Sequence, residues 1–157
     1  MKLFQLKRQQ ILSVPVEQAW SFFATPRNLD AITPPDLQFT ILSGLDQRTS
    51  VFPGQSLVYR IRIFPFFTRT WMTVITAVEP NRFFVDQQAV GPYRLWHHQH
   101  HFEEKDGATH MTDIVDYAIG YGPLDSIIQR LVVGPKLESI FDYRQTRLAE
   151  LFPLRPS

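Results

Sequence analysis

The chain has 157 residues, a formal net charge of +1 and 44% hydrophobic residues, which is typical of one folded domain. It contains no cysteine, which excludes a disulfide framework, a thiolate metal site and a cysteine nucleophile. The near-neutral charge gives no reason to expect nucleic acid or an anionic membrane as a partner. No segment reaches the roughly 20 apolar residues that span a bilayer. We therefore predict a single domain over residues 1–157, in the cytoplasm.

The first third of the chain is predicted to form a strand followed by two short helices. Apolar and polar residues alternate over residues 3–12, as in a strand with one buried face. Pro15 can open a helix because its missing N–H would be unpaired there. Apolar residues then recur at helical spacing, at Val16, Ala19, Trp20 and Phe23. A second short helix starts at Thr25-Pro26 and stops at Thr33-Pro34-Pro35.

From residue 37 onward the hydrophobic period changes to two, which predicts a run of strands. The six predicted strands contain residues 37–41, 57–63, 71–75, 83–89, 94–104 and 109–119. Most are joined by short turns, among them a hairpin turn at Lys105-Asp106-Gly107. Consecutive strands with short connections imply a meandering antiparallel sheet.

The period returns to that of a helix over residues 124–151. One apolar face is predicted to contain Leu124, Ile127, Ile128 and Leu131. Gly134-Pro135 interrupts the pattern with a kink, because Pro135 cannot donate to the carbonyl four residues back. The predicted fold class is therefore α+β, with a curved seven-stranded antiparallel sheet around a long C-terminal helix. Such an architecture tends to leave a cavity between the sheet and the helix.

Four stretches carry a resemblance to a known group of proteins: FFATPRNLDAITPP (22–35), FVDQQAVGPYRLWHHQHHFEE (84–104), GATHMTDIVDY (107–117) and GPKLESIFDYRQTRL (134–148). With them the chain resembles the START / Bet v 1-like superfamily, also called SRPBCC or the polyketide cyclase–lipid transport group. It is most similar to the bacterial ligand-binding branch, whose functions are mostly unassigned. The resemblance implies a helix-grip fold with an internal pocket for hydrophobic small molecules. It does not imply one activity, because members include lipid carriers, hormone receptors, aromatases, cyclases and hydratases.

The histidines of the chain are close together, and four of the five fall within LWHHQHHF, residues 95–102. Side chains alternate between the two faces of a strand. His98 and His100 therefore share a face with the apolar ends of the stretch, Trp96 and Phe102, and are predicted to point inward. The opposite face is wholly polar, with His97, Gln99 and His101. The hairpin turn makes the next strand a neighbour and places an inward Asp113 beside the two histidines.

Several roles are open for His98, His100 and Asp113. They can satisfy one another as buried polar groups, orient a ligand carbonyl or hydroxyl, or act as catalytic residues that transfer protons. A metal is a further alternative, since His-x-His on a strand can place two imidazoles on one ion. Only Asp113 offers a third ligand in the sequence pattern, so neither a metal site nor a cofactor is predicted.

The other predicted ligand-binding residues are aromatic walls and one cation. The walls are Tyr59, Trp71, Trp96, Tyr117 and Phe141. Arg144 falls in the apolar stripe of the last helix, where its guanidinium could bind a ligand carboxylate. The preferred interpretation is that Arg144 pairs with a protein carboxylate or extends its guanidinium to the solvent at the edge. Glu138 and Asp142 are nearby partners, and Asp113 lies at longer range.

Three phenylalanines surround Pro65 at a predicted hairpin tip, namely Phe64, Phe66 and Phe67. Such a tip can cover a cavity entrance, contact a second copy of the chain or touch a membrane, and the first is the plainest interpretation. The sequence thus predicts a protein that binds a small, largely hydrophobic ligand. The alternatives are a cyclase, aromatase or hydratase that uses the His/Asp group, and an oligomeric interaction module such as a homodimer, with an incidental cavity. Neither nucleic acid nor membrane insertion is predicted.

Overall fold

The computed structural model describes residues 1–48, 50–64 and 66–153. Within them, seven antiparallel strands form one sheet in the order β1-β7-β6-β5-β4-β3-β2. The strands are β1 (Phe4–Leu12), β2 (Thr40–Ser43), β3 (Ser56–Phe64), β4 (Phe67–Glu79), β5 (Phe83–Val90), β6 (Leu95–Lys105) and β7 (Ala108–Ala118). Strands β2 to β7 form the predicted meander, and β1 pairs with its last strand. The predicted sheet is confirmed.

Helices connect β1 to the meander and follow its last strand. Helix α1 (Val16–Phe23) and two 3-10 turns (Pro26–Ile32 and Pro35–Leu37) lie between β1 and β2. After β7 the chain continues through a 3-10 turn, α2, a π-helical turn and α3, which span Gly122–Leu124, Asp125–Ile128, Gln129–Val133 and Gly134–Leu151. The α+β helix-grip architecture is therefore confirmed. Over the part of the chain described here, no helix is long and apolar enough to cross a membrane.

The register of three neighbouring strands brings polar residues together. Both residues of the β6–β7 turn, Asp106 and Gly107, have positive φ angles of 53° and 74°, as a two-residue type I′ turn requires. From this turn the pairing places His100 opposite Asp113. On the other side of β6, His98 lies opposite Asp86 of β5. Cross-strand neighbours share a face of the sheet, so β5, β6 and β7 contribute to one cluster.

Two groups of buried side chains hold the helices against the sheet. Under α1, Trp20 packs edge-on against Phe84 and Phe102, with ring centroids 5.9 and 5.7 Å apart. The second group joins β1 and β7 to α3 and contains Leu6, Val115, Tyr117, Leu137 and Phe141. At the rim of this second group, Arg8 of β1 forms ion pairs with Glu138 and Asp142 of α3. Helix α3 is thereby fixed over the β1–β7 end of the sheet.

The interruption predicted at Gly134-Pro135 is preceded by the π-helical turn. Its i→i+5 hydrogen bonds put an extra residue into the turn, which shifts the phase of the helix faces on its two sides. Ile128, just before this turn, lines the cavity. Its predicted companions on one apolar face, Leu124, Ile127 and Leu131, are 55%, 52% and 63% exposed. The prediction of a single apolar face is therefore wrong for the segment from Leu124 to Leu131.

Candidate functional site

A cavity of about 1040 Å³ lies between the sheet and the helical segments. Four of the predicted wall residues line it, namely Tyr59, Trp71, Trp96 and Phe141. Tyr117 does not, because it is buried in the core group behind Trp96, with the two rings 6.3 Å apart. The predicted cavity is thus present, with one of its five expected walls belonging to the core instead.

The aromatic wall is built by pairing between β3 and β4. Trp71 lies opposite Tyr59 in the register, and their rings stack with centroids 6.1 Å apart. The ring of Trp71 also meets the ring of Trp96 edge-on at 5.2 Å. The indole Nε1 of Trp71 is buried and has no hydrogen-bond partner among the described residues. The wall therefore offers a broad aromatic surface and one unpaired donor.

Two histidines of β6 and two aspartates of the flanking strands form a polar cluster at the cavity wall. His98 Nε2 lies 2.8 Å from Asp113 Oδ1, and His100 Nε2 lies 2.9 Å from Asp86 Oδ2. The two imidazole rings lie side by side, with centroids 3.7 Å apart and their planes tilted by 37°. His98, His100 and Asp113 are buried, and Asp86 is nearly so. These four residues are called the His/Asp cluster below.

The members of the cluster do not all face the cavity. His98 and His100 point inward, as predicted, and line the cavity together with Asp86. Asp113, predicted to anchor a ligand directly, is not part of the cavity wall. Its Oδ1 lies 2.8 Å from His98 Nε2 and 3.0 Å from His100 Nδ1, although the second contact lacks hydrogen-bond geometry. Asp113 therefore holds His98 through a hydrogen bond and lies beside His100, outside the cavity wall.

Asp86 is the member that the sequence analysis missed. It shares a face with Phe84 in β5, and its Oδ1 accepts a hydrogen bond of 3.1 Å from Thr73 Oγ1. The signal in the sequence was an acidic residue inside the strand FFVDQQAV, residues 83–90. That signal becomes specific only with the β5–β6 register, which places Asp86 opposite His98.

Burial and hydrogen bonding act in opposite directions on the ionisation of this cluster. Burial by itself raises the pKa of a carboxyl group and lowers that of an imidazole. For Asp86 and Asp113 the hydrogen bonds and charges of the histidines outweigh burial and hold each pKa below its usual value. Burial and the neighbouring His100 lower the pKa of His98. Against burial, the two carboxylates raise the pKa of His100, which makes His100 the more readily protonated histidine.

Arg144 faces the cavity and has no carboxylate partner among the described residues. Its guanidinium lies 4.9 Å from the centroid of the Phe141 ring, and its buried Nε has no hydrogen-bond partner in the described part of the chain. Among the residues described, no carboxylate forms an ion pair with Arg144, because Glu138 and Asp142 pair with Arg8. The first part of the interpretation preferred from the sequence, a pairing within the protein, is therefore wrong, and Arg144 lines the cavity.

The remaining candidates lie outside the cluster. His97 and His101, on the opposite face of β6, are half-buried and contact Gln87 and Gln99 respectively. At the β3–β4 tip, Phe66 is fully exposed whereas Phe67 lines the cavity. Pro65 and the side chain of Phe64 lie outside the described residues. Within the described part of the tip, only Phe67 is placed to cover the cavity.

Comparisons with known proteins define the fold. No protein-family model matches the chain, and neither does any curated protein. Among solved structures, protein Ms6760 from Mycobacterium smegmatis is 19% identical with a TM-score of 0.66, and the match covers 96% of each chain. Major latex-like protein 151 from Panax ginseng is 13% identical with a TM-score of 0.69, and the match covers 96% of this chain and 98% of that one.

Norcoclaurine synthase from Thalictrum flavum, solved with a transition-state analogue, is 12% identical with a TM-score of 0.60, and the match covers 96% of each chain. The chain therefore has the helix-grip fold of the Bet v 1-like proteins. The resemblance predicted from the sequence is confirmed at the level of the fold.

Proposed function

We propose that residues 1–157 form one domain, located in the cytoplasm, that binds a small, largely apolar molecule between the sheet and α3. The observation that carries this proposal is the cavity of about 1040 Å³, walled mainly by aromatic and aliphatic side chains. Small-molecule sites are concave and mostly apolar, with a few placed polar groups. Burial of apolar ligand surface would contribute about 25 cal/mol per Å². The His/Asp cluster and Arg144 would supply the orienting polar groups.

The unpaired donors of the cavity indicate the chemistry of the ligand. Trp71 Nε1 and Arg144 Nε are both buried without a partner among the described residues. An unsatisfied buried donor costs about 1–3 kcal/mol, so a ligand oxygen that accepts from either group would recover this free energy. A guanidinium pairs best with a carboxylate or a similar planar anion. The proposed ligand therefore has an apolar body and an anionic oxygen group.

Two fluorescent probes that differ by one anionic group test this proposal. 1-Anilinonaphthalene-8-sulfonate carries a sulfonate, and N-phenyl-1-naphthylamine has the same apolar body without it. We expect the wild-type protein to bind both, and Arg144→Gln to weaken binding of the sulfonate probe by roughly 10- to 100-fold, as for a lost charged hydrogen bond. Binding of the neutral probe should stay nearly constant. Titration of probe fluorescence measures both affinities.

The matched control is Arg147→Gln, since Arg147 lies one turn further along α3 and pairs with Glu150 instead of facing the cavity. This control should bind both probes as the wild type does. Equal weakening of both probes by Arg144→Gln would refute the anionic-group assignment. Absence of binding of either probe to the wild type would refute the cavity as a binding site. In addition, native mass spectrometry of freshly purified protein measures the mass of any ligand that co-purifies.

Proton transfer is the second candidate function, of the cyclase, aromatase or hydratase kind. The observation in its favour is that His98 Nδ1 makes no hydrogen bond among the described residues, while Asp113 holds Nε2 at 2.8 Å. A base oriented by a carboxylate is a common arrangement for general acid–base catalysis.

Replacing His98 separates the carrier from the enzyme. A carrier with His98→Gln should keep its ligand affinity within about tenfold, because one hydrogen bond contributes about 0.5–1.5 kcal/mol. An enzyme should still bind its substrate but lose roughly 10²- to 10⁴-fold in turnover. The ligand recovered from the wild-type protein can be incubated with fresh wild-type protein and its mass measured again. This measurement distinguishes the carrier from the enzyme. An unchanged mass supports the carrier, and a converted mass supports the enzyme.

A homodimer through the aromatic tip is the third alternative. Phe66 is fully exposed and contributes nothing to the core, so Phe66→Ser should change the free energy of unfolding by no more than about 0.5 kcal/mol. Sedimentation velocity on the wild type and the variant then reports association alone. A dimer that dissociates in the variant supports the tip as the contact. A monomeric wild type contradicts the homodimer.

A further inference from the structure

Three side chains at the cavity wall present nitrogen and oxygen atoms to one another. Asp86 Oδ2 lies 2.9 Å from His100 Nε2 and 3.6 Å from His98 Nδ1. One potential ligand atom from each of these residues lies within 4.8 Å of the others. Ligand atoms around a tetrahedral metal ion with bonds of about 2.0–2.1 Å are about 3.3 Å apart. The spacing in the cluster is therefore close to that of a metal site.

The opposite nitrogens of the same two rings face a single carboxylate. Asp113 Oδ1 lies 2.8 Å from His98 Nε2 and 3.0 Å from His100 Nδ1. Histidines that bind a metal almost always donate their other ring N–H to a carboxylate, a carbonyl or water, which fixes tautomer and ring orientation. An ion bound on the Asp86 side would require both protons to be on the Asp113 side. Asp113 is thus placed to orient the ring of His98 through a hydrogen bond, and its carboxylate lies beside Nδ1 of His100.

The charge of the cluster also suits a divalent cation. The side chains of Asp86 and Asp113 place two carboxyl groups in or near the protein interior. Buried charge is costly unless it is neutralised. Neutral imidazoles with one carboxylate are ligands for zinc, iron, copper and nickel, whereas magnesium and calcium prefer oxygen ligands alone.

We propose that Asp86, His98 and His100 bind a divalent transition-metal ion through Asp86 Oδ2, His98 Nδ1 and His100 Nε2. Two histidines and one carboxylate leave coordination positions open, as in catalytic zinc and non-haem iron sites. Here the open positions would face the cavity, where a ligand oxygen could bind. This differs from the sequence prediction of no metal, because the sequence pattern indicated only Asp113 as a third ligand.

Metal titration of tag-free protein, first treated with a chelator, tests this assignment. We expect one equivalent of Zn²⁺ per chain by calorimetry, and Co²⁺ should produce visible absorption bands of a low-symmetry site. Asp86→Asn and His100→Gln should each weaken Zn²⁺ binding at least about 100-fold, since each removes a direct ligand. Asp113→Asn should weaken it by about 10- to 100-fold, as is usual for a residue that orients metal ligands.

The double variant His97→Gln/His101→Gln is the matched control, because it removes two histidines from the same strand on the opposite face. It should bind Zn²⁺ as the wild type does, and saturating Zn²⁺ should raise the melting temperature of both proteins. Loss of binding in this control would mean that the outer histidines hold the ion, which overturns the proposal. A wild-type protein that neither binds Zn²⁺ stoichiometrically nor gains thermal stability from it also overturns the proposal, whether or not the variants fold.

Discussion

Replacement of Asp113 by alanine is expected to lower the free energy of unfolding by about 3–5 kcal/mol, the usual cost of removing one partner of a buried ionic pair. Asp113 is 6% exposed and lies within 3.0 Å of both imidazoles of the cluster. It is not part of the cavity wall, so cavity water has no ready access to the imidazole nitrogens left behind. Urea unfolding followed by circular dichroism measures the change.

Two other aspartates provide the comparison. Asp116→Ala affects the same strand on its other face, where the carboxylate accepts a hydrogen bond from Gln5 near the surface; about 0.5–1 kcal/mol should be lost. Asp86→Ala removes a carboxylate from the cavity wall, where water can solvate His100, so its cost should be smaller than that of Asp113→Ala. Equal losses for Asp113→Ala and Asp116→Ala would contradict the role assigned to the buried pair.

Gly44→Ala is expected to cost about 2–5 kcal/mol. Gly44 has a φ angle of 95°, and a Cβ atom there would lie 2.0 Å from the Ser56 carbonyl oxygen. The left-handed conformation costs a non-glycine residue about 1–2 kcal/mol, and the displacement of tightly packed atoms about 1–3 kcal/mol more. The chain leaves β2 here and passes close to the start of β3, which carries Tyr59 into the cavity wall. Urea unfolding measures the loss of stability, and probe titration should show weaker binding.

Gly54→Ala separates the two contributions. Gly54 has a similar φ angle of 87°, but a Cβ atom there would meet no atom of the described residues within 4 Å. This variant should lose only the conformational part, about 1–2 kcal/mol. A loss as large as that of Gly44→Ala would show that contact with Ser56 is not the decisive factor.

The secondary structure and the inward histidines could be predicted because they depend on local periodicity. Apolar residues alternate with a period of two over β3 to β7 and recur with a helical period near the C-terminus. Both patterns involve only neighbouring residues and do not depend on the rest of the chain. The same alternation placed His98 and His100 on the inner face of β6. The short β6–β7 turn then set the register that puts Asp113 opposite His100.

The predictions that failed depended on contacts between segments that the local pattern does not specify. Whether Arg144 pairs within the protein depends on Arg8, which comes from β1 at the other end of the chain and binds Glu138 and Asp142. Whether Ile127 or Ile128 faces inward depends on the π turn, which changes the phase of the helix between them and α3.

The sequence by itself determined the order of the elements, the sheet and the inner face of β6, because hydrophobic period and turn chemistry are local. The tertiary structure alone decided the composition of the site. In the tertiary structure Tyr117 and Asp113 lie outside the cavity wall, and Asp86 lies beside the two histidines. Among the described residues, no carboxylate pairs with Arg144. The physical reason is that side-chain chemistry at a site is set by strand register and helix phase, where a shift of one residue exchanges an inward group for an outward one.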